Sequence, residues 1–408
     1  MTLDPAVRIV RAVFAVTVSL LGAAAICAAA PRVPGPGIPT STTTAKKHTV
    51  KKSAARKHAA GTAAIRTVVL RTPATTTTAR HRRYRGPSNY ADPTKEDVVD
   101  YDDPTVRAIA VDALGRSNGS VLAMDPTTGR ILAIVNQKMA FSSGFEPCST
   151  IKPVIALAGL QQNVITRDTM IEVGRRRYMD LTEAMAHSNN NFFEEVGRRL
   201  GFENVEHYAR MLGLGERAGF EIPEEQPGLV PTAAPAYGGV SRMSSFGEGI
   251  KITPLQLASL VSTLANGGTI YYLQYPRTAA ARTDFQPRIK RVLDIGQLLP
   301  DLREGMLAAV LYGTAKQSYD PDGEQALGKT GTCNDEGLGG RLGWFVSYAD
   351  QAHPRIVIVV LLRGGTRMVS GPRAADVAGR IYHGLREHNF FAEAPAGNYA
   401  QFASQAAK

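Results

Sequence analysis

Ser120-Val-Leu-Ala-Met-Asp-Pro-Thr-Thr-Gly-Arg-Ile-Leu-Ala-Ile-Val135 is the stretch that decides the fold. Two apolar runs, Ser120–Met124 and Arg130–Val135, flank Asp125-Pro-Thr-Thr-Gly129, whose Pro and Gly favour a turn, so the stretch reads as two strands joined by that turn. Far downstream come three more strand-like runs, Leu327–Thr332, Gly343–Ala349 and Arg355–Leu362. After Arg355 the last run is continuously apolar, which places it at the centre of a sheet. Helical spacing fills the interval and its flanks. Pro104–Arg116 aligns Val106, Ile109, Ala110 and Ala113, and Ser149–Leu160 tolerates Pro153 in its first turn. Leu181–Leu200 and Pro254–Ala265 follow, the latter stopped by Asn266-Gly-Gly268, and Ala374–Glu387 closes the domain. Strands at both ends with helices between them predict an α+β fold. Its central, mainly antiparallel sheet is flanked by helices and joined by an all-helical subdomain, and the ends of the domain lie close together. No internal repeat is visible.

The 408-residue chain has a formal net charge of +11, a value that suggests a nucleic-acid partner until the charge is located. Residues 1–30 contribute +1, residues 31–91 hold 13 Lys/Arg and no acid, and residues 92–408 hold 32 basic against 35 acidic side chains. Basicity therefore belongs to one arm, and no nucleic-acid partner is expected. The 31–91 arm is mostly Pro, Thr, Ala, Lys and Arg. It buries too little apolar surface to offset its chain entropy and is expected to be a disordered linker. It is either a solvated spacer or an arm that touches anionic wall polymer or lipid headgroups. Ala12–Ala30 is free of charge and, as a helix, about 28 Å long, enough to cross a bilayer core. Arg8 and Arg11 place residues 1–11 on the cytoplasmic side. Ala28-Ala-Ala30 also suits signal cleavage, a competing reading against which Pro31 stands. The expected organisation is a short cytoplasmic segment 1–11, a membrane anchor or signal 12–30, the basic linker 31–91, a folded domain 92–388 outside the cytoplasm, and a flexible tail 389–408.

Three short motifs punctuate the folded part: Ser149-Thr-Ile-Lys152, Ser188-Asn-Asn190 and Lys329-Thr-Gly-Thr332. Ser149 and Lys152 share a face if the segment is helical, with Ser149 at the N-terminus, where free N–H groups favour developing negative charge. A serine hydroxyl needs a base beside it, and with no histidine at a suitable spacing Lys152 is the candidate, provided burial lowers its pKa. Ser188 is placed to relay a proton, and the Asn190 amide to hold a substrate backbone. Thr330 and Thr332 share a strand face beside the Lys329 charge, a suitable site for a substrate carboxylate. Gly331 removes a side chain where a helix or ligand comes close. Taken singly, each motif is equally an N-cap or a surface turn. Together and in this order they point to acyl transfer at Ser149, with no metal or cofactor expected.

On these residues the chain resembles the transpeptidase domain of penicillin-binding proteins, within the serine DD-peptidase and β-lactamase superfamily. Phe145-Glu-Pro-Cys-Ser-Thr-Ile-Lys-Pro153 is similar to the family's run around its nucleophile. Phe220–Pro231, Phe246-Gly-Glu-Gly-Ile-Lys-Ile-Thr-Pro-Leu-Gln-Leu257 and Gly343-Trp-Phe-Val-Ser-Tyr-Ala349 resemble further family blocks. The resemblance covers roughly residues 105–388. It implies that Ser149 attacks the D-Ala-D-Ala bond of peptidoglycan stem peptides, releases D-Ala and passes its acyl group to an amine or water. The backbone N–H groups of Ser149 and Thr332 would form the oxyanion hole, and β-lactams would acylate Ser149 as substrate mimics.

Departures from the pattern carry expectations of their own. No glycosyltransferase domain is visible, and only 39 residues separate Ser149 from Ser188, which suggests a reduced, auxiliary member. Cys148 stands where the family usually has Gly, and Cys333 follows Lys-Thr-Gly-Thr. The resemblance puts both motifs on one groove, so the two sulfurs should be close. The pair is similar to a disulfide beside the active site of some class A carbapenem-hydrolysing β-lactamases, and the compartment permits oxidation; two free thiols are the alternative. Competing functions are a serine β-lactamase, for which Glu224 or Glu225 would have to activate water, a DD-carboxypeptidase, and a non-catalytic penicillin-binding wall or divisome scaffold.

Overall fold

The computed structural model describes residues 86–392, except 336, 338 and 350–352. The expected anchor 12–30 and the linker up to residue 85 lie outside the described residues. The helices are α1 Pro104–Leu114, α2 Gln137–Ala140, α3 Lys152–Gln161, α4 Leu181–Ala186, α5 Asn190–Met211, α6 Gly239–Phe246, α7 Pro254–Ala265, α8 Ala279–Thr283, α9 Leu299–Leu311 and α10 Gly371–Glu387. The strands are β1 Gly119–Met124, β2 Ile131–Val135, β3 Ile171–Gly174, β4 Arg177–Met179, β5 Thr269–Tyr271, β6 Ile289–Val292, β7 Leu327–Asp335, β8 Gly340–Ala349 and β9 Ile356–Gly364.

Five strands form one sheet in the order β2-β1-β9-β8-β7, every neighbouring pair antiparallel. β9 is the middle strand, as its apolar run predicts. It pairs with β1 from Gly119 opposite Leu362 to Met124 opposite Val357, so the two ends of the domain meet. The two-residue period divides the sheet's side chains between two cores. Leu122, Met124, Trp344, Val346, Val357, Val359 and Leu361 join the larger core with the buried faces of α3, α5 and α7. Val121, Ala123, Phe345, Ile358 and Val360 join the smaller one with α1 and α10. Cover on both faces is why β9 shows no polar alternation. α10 meets the sheet through Ala374, Ala378, Ile381 and Leu385, a helical stripe.

Local sequence starts these elements. Asp103 accepts the N–H groups of Thr105 and Val106 at the head of α1, and a reciprocal Thr253–Gln256 capping box opens α7; each helix has Pro in its first turn. On the helical side of the sheet, α3 packs on α5, α5 on α6, and α4 on α9.

Several boundaries differ from expectation. Ser149–Leu160 is not one α-helix: Cys148–Ile151 is a 3-10 turn and α3 begins at Lys152. Leu181–Leu200 breaks at residues 187–189, and Gly201, with φ 78°, interrupts α5. Residues 86–91, assigned to the linker, are tied to the domain, with Asn118 N donating to Asn89 O at 2.8 Å and Ala91 N to Arg116 O at 3.1 Å. Phe390 and Phe391, assigned to the flexible tail, pack against the core under α10, while residues 393–408 lie outside the described residues. The hairpins β3–β4 and β5–β6 were not expected. Among the described residues no helix is long and apolar enough to cross a membrane.

Candidate active site

Ser149 sits in the 3-10 turn ahead of α3 and is 8% exposed. That turn leans on β7 at Gly331, where a Cβ would lie 2.9 Å from the Pro147 carbonyl oxygen and 3.3 Å from Cys148 Cβ. Glycine is required for this approach. A disulfide joins Cys148 to Cys333, with Cα atoms 5.5 Å apart, so the residue before the nucleophile is bonded to the residue after Thr332. Cys148 has φ 51°, a left-handed conformation that glycine adopts without cost. Upstream, Phe145 and Ile252 exchange backbone hydrogen bonds of 2.9 and 2.8 Å, and Trp344 Nε1 donates to Glu146 O at 2.9 Å. These contacts fix the chain entering the turn from both the sheet and the 247–253 segment.

The second motif lies in the break between α4 and α5. Asn189, not its neighbours, caps α5, its Oδ1 accepting from Phe192 N at 3.0 Å. That leaves Ser188 and Asn190 for other partners. Lys152 Nζ donates to Ser188 O at 2.6 Å, to Asn190 Oδ1 at 2.7 Å and to Ser188 Oγ at 3.1 Å. From β7, Lys329 Nζ donates to the same Ser188 Oγ at 2.8 Å and to Thr330 O at 3.0 Å. Ser188 has φ 53°, and from that backbone conformation both its carbonyl and its hydroxyl reach Lys152. The three motifs, distant in sequence, thus meet through one serine oxygen.

Both lysines are fully buried. Burial, reinforced by the Lys329 charge and opposed by Glu194, holds Lys152 well below an ordinary lysine value. Burial alone pushes Lys329 down to about 7. As an ammonium, Lys152 has three donors, and all three go to the 188–190 loop. Among the described residues the Ser149 hydroxyl has no hydrogen-bond partner, so the expected serine–lysine contact is not formed in this state. Catalytic hydrogen bonds of this type commonly tighten only when substrate is bound.

On β7, Thr330 and Thr332 share a face, as expected, and that face meets the start of α10. Thr332 Oγ1 accepts from Gly371 N at 2.7 Å, which leaves its own proton to donate, and Thr330 Oγ1 lies 2.6 Å from Thr314 Oγ1. Thr314 and Gly371 were not identified from sequence; nothing in their local pattern marks them, because only tertiary packing brings them to β7. Among the described residues no cluster of three or more His, Cys, Asp or Glu side chains could hold a metal.

The central antiparallel sheet and its helical subdomain make up the penicillin-binding-protein and β-lactamase-like fold. The family model for the penicillin binding protein transpeptidase domain matches residues 119–383, and the chain belongs to that family. Stage V sporulation protein D of Bacillus subtilis is 25% identical over 307 residues, covering 66% of this chain and 47% of that protein. Peptidoglycan D,D-transpeptidase PbpA of Mycolicibacterium smegmatis is 27% identical over 359 residues, covering 70% of this chain and 71% of that protein. Against the first of these and similar relatives the chain spans about half of the partner's length. The transpeptidase domain of Burkholderia pseudomallei penicillin-binding protein 3 superposes with a TM-score of 0.61 at 22% identity, covering 71% of this chain and 96% of that domain. Pseudomonas aeruginosa PBP2 superposes with a TM-score of 0.61 at 21% identity, covering 73% of this chain and 79% of that one.

Proposed function

We propose that this protein is a serine DD-transpeptidase that cross-links peptidoglycan by acting on D-Ala-D-Ala stem peptides, and that β-lactams acylate it. The observation that carries this reading is the Lys152–Ser188–Lys329 hydrogen-bonded set beside the Ser149 turn. A neutral Lys152 takes the Ser149 proton as Oγ attacks the carbonyl carbon of the penultimate D-Ala. The new C–O bond gives a tetrahedral oxyanion, held by the backbone N–H groups of Ser149 and Thr332. Collapse breaks the C–N bond, and the proton passes from Lys152 through Ser188 to the departing D-Ala amine. An acceptor amine then attacks the Ser149 ester and returns the enzyme. The charged Lys329 and the Thr330 and Thr332 hydroxyls receive the terminal carboxylate, and the Asn190 amide group holds the acyl-side backbone. The catalytic domain works outside the cytoplasm, anchored through residues 12–30.

A class A β-lactamase activates water with a glutamate after the second motif, and the two sequence candidates there are otherwise engaged. Glu224 pairs with Arg277 at 2.7 Å, and the fully buried Glu225 accepts the backbone N–H groups of Ala218 and Gly219 at 3.0 and 2.7 Å. Both roles are structural, which favours a long-lived acyl-enzyme. The test is labelling of the full-length chain with fluorescent penicillin, beside Ser149→Ala, followed over hours. A persistent adduct on wild type only is expected. Label on the variant, or rapid consumption of penicillin by wild type, refutes the reading.

A further inference from the structure

The two hydroxyls proposed to receive the substrate carboxylate, on Thr330 and Thr332, are not equally provided for. Gly371 N donates to Thr332 Oγ1 at 2.7 Å, and a backbone N–H only donates, so the Thr332 proton is left for a ligand. Thr330 has no such backbone donor. Its Oγ1 lies 2.6 Å from Thr314 Oγ1, and either hydroxyl can give the proton. Neither oxygen has another hydrogen-bond partner among the described residues.

Thr314 is fixed by its own segment. It lies in the turn after α9, and its N–H donates to Ala186 O, at the C-terminal end of α4, at 3.0 Å. Gly313 permits that approach, since a Cβ there would lie 2.2 Å from the same oxygen. Tyr312 Oη donates to Glu183 Oε1 at 2.7 Å, about one turn earlier on α4. Three successive residues thus clamp this turn onto the segment that leads directly to Ser188. From there the Thr314 side chain crosses to β7 and gives the second and third motifs a connection separate from the Ser188 hydroxyl. A carboxylate reaching Thr330 decides which way that connection points. It only accepts, so Thr330 donates to it, and Thr314 must then donate to Thr330. The two protons run the same way, and a hydrogen bond to an ionised acceptor is strengthened by the donor behind it.

We propose that Thr314 is a positioning residue for the substrate: its hydroxyl donates to Thr330 Oγ1 and so turns the Thr330 proton towards the substrate carboxylate. The inference rests on the acyl-transfer reading above. It is tested by rapid-quench acylation of the full-length chain with fluorescent penicillin, which carries a carboxylate, separating the half-saturating concentration from the limiting rate. Thr314→Val keeps the shape and the N–H but removes the hydroxyl. It should raise the half-saturating concentration about tenfold, the size of one hydrogen bond to a charged group, and leave the limiting rate within about twofold. Thr314→Ser should restore the wild-type value. Adding Thr314→Val to Thr330→Val should change nothing further, because the effect passes through Thr330. Thr314→Ala repeats the comparison if the valine variant melts well below wild type. A lower limiting rate at an unchanged half-saturating concentration, additive effects of the two valine substitutions, or a serine variant as poor as the valine one overturns the proposal. So does a valine variant indistinguishable from wild type. A wild-type chain that penicillin does not acylate overturns the acyl-transfer reading, and this inference with it.

Discussion

Removing the Cys148–Cys333 bridge should cost stability and rate by separate routes. The bridged residues are 185 apart in sequence. In the chain-entropy treatment, closing a loop of that size destabilises the unfolded state by about 5 kcal/mol, and measured bridges more often give about 2–4 kcal/mol. For a folded domain of about 300 residues the entropy of unfolding is roughly 0.6 kcal/mol/K, so the melting temperature should fall by about 3–8 °C. The effect on rate is local. The bridge joins Cys148 to Cys333, the chain neighbours of Ser149 and Thr332, whose backbone N–H groups are assigned to the oxyanion hole. Without it, the turn is kept against β7 by packing at Gly331 and by the hydrogen bonds that hold residues 145 and 146 upstream of it. A displacement of about 1 Å at a reacting group costs on the order of a hundredfold.

The variant to make is Cys148→Gly with Cys333→Ser. Glycine accommodates φ 51°, so the experiment tests the bridge and not the backbone, and genetic removal leaves Cys27 out of the measurement. The assays are thermal unfolding and the second-order rate of acylation by fluorescent penicillin. A variant that melts with wild type and is acylated at the wild-type rate would refute both halves of the argument. Lower melting with a full rate would refute the positioning half alone.

Lys152→Met keeps the volume but removes the base, so penicillin acylation should drop by about 10²–10⁴-fold while circular dichroism still reports a folded domain. Retention of more than a tenth of the rate would displace Lys152 from the role. Gly331→Ala places a Cβ 2.9 Å from a backbone oxygen that cannot rotate away, and should cost about 1–3 kcal/mol in denaturant titrations and proportionally more in acylation. Lys329, lowered to about 7 in the fold, binds fewer protons there than in the unfolded chain between about pH 7 and 10.4. Its burial penalty is therefore relieved as pH rises through that window and returns as pH falls through the folded value. Wild-type stability should gain on that of Lys329→Met across this range, and parallel stability curves would contradict it.

Much of this was legible in the chain because it depends on short-range rules. β9 reads as central from its apolar run, and β1–turn–β2 from Asp125-Pro-Thr-Thr-Gly129. The three motifs could be picked out and the third placed on a strand, and the structure brings them together; the 3-10 turn at Ser149 and the helix break at 187–189 were not foreseen, because both lie within segments whose spacing reads as continuous helix. What was not legible depends on packing. Whether Asn189 or Asn190 caps α5 depends on which side chain the buried Lys152 draws inward. β5 and β6 are short and half-exposed, with no strong pattern to reveal them. Thr314 and Gly371 reach β7 from the turn after α9 and the start of α10, and no spacing rule connects those segments. One signal was overlooked: a Cys where the family resemblance implies a Gly marks a left-handed backbone position as much as a disulfide partner.

The two lysines are best understood together. Ser188 Oγ has two lone pairs, and Lys152 and Lys329 each donate to one of them, so its own proton is left to give. Two ammoniums on one buried oxygen, with no carboxylate hydrogen-bonded to either, are costly: burial lowers both lysines, and the Lys329 charge lowers Lys152 further. Of the two, Lys152 alone also carries the penalty of a neighbouring charge. On the proposed mechanism, a substrate carboxylate arriving beside Lys329 stabilises the Lys329 charge, and that charge in turn presses Lys152 towards the neutral form. The ligand would thereby favour the neutral base that activates Ser149 to attack it. A neutral Lys152 has one donor fewer than its three acceptors and gains a lone pair, so it must release part of its hold on the 188–190 loop. The free Ser149 hydroxyl, without a partner in the present structure, is the group that this lone pair would then accept.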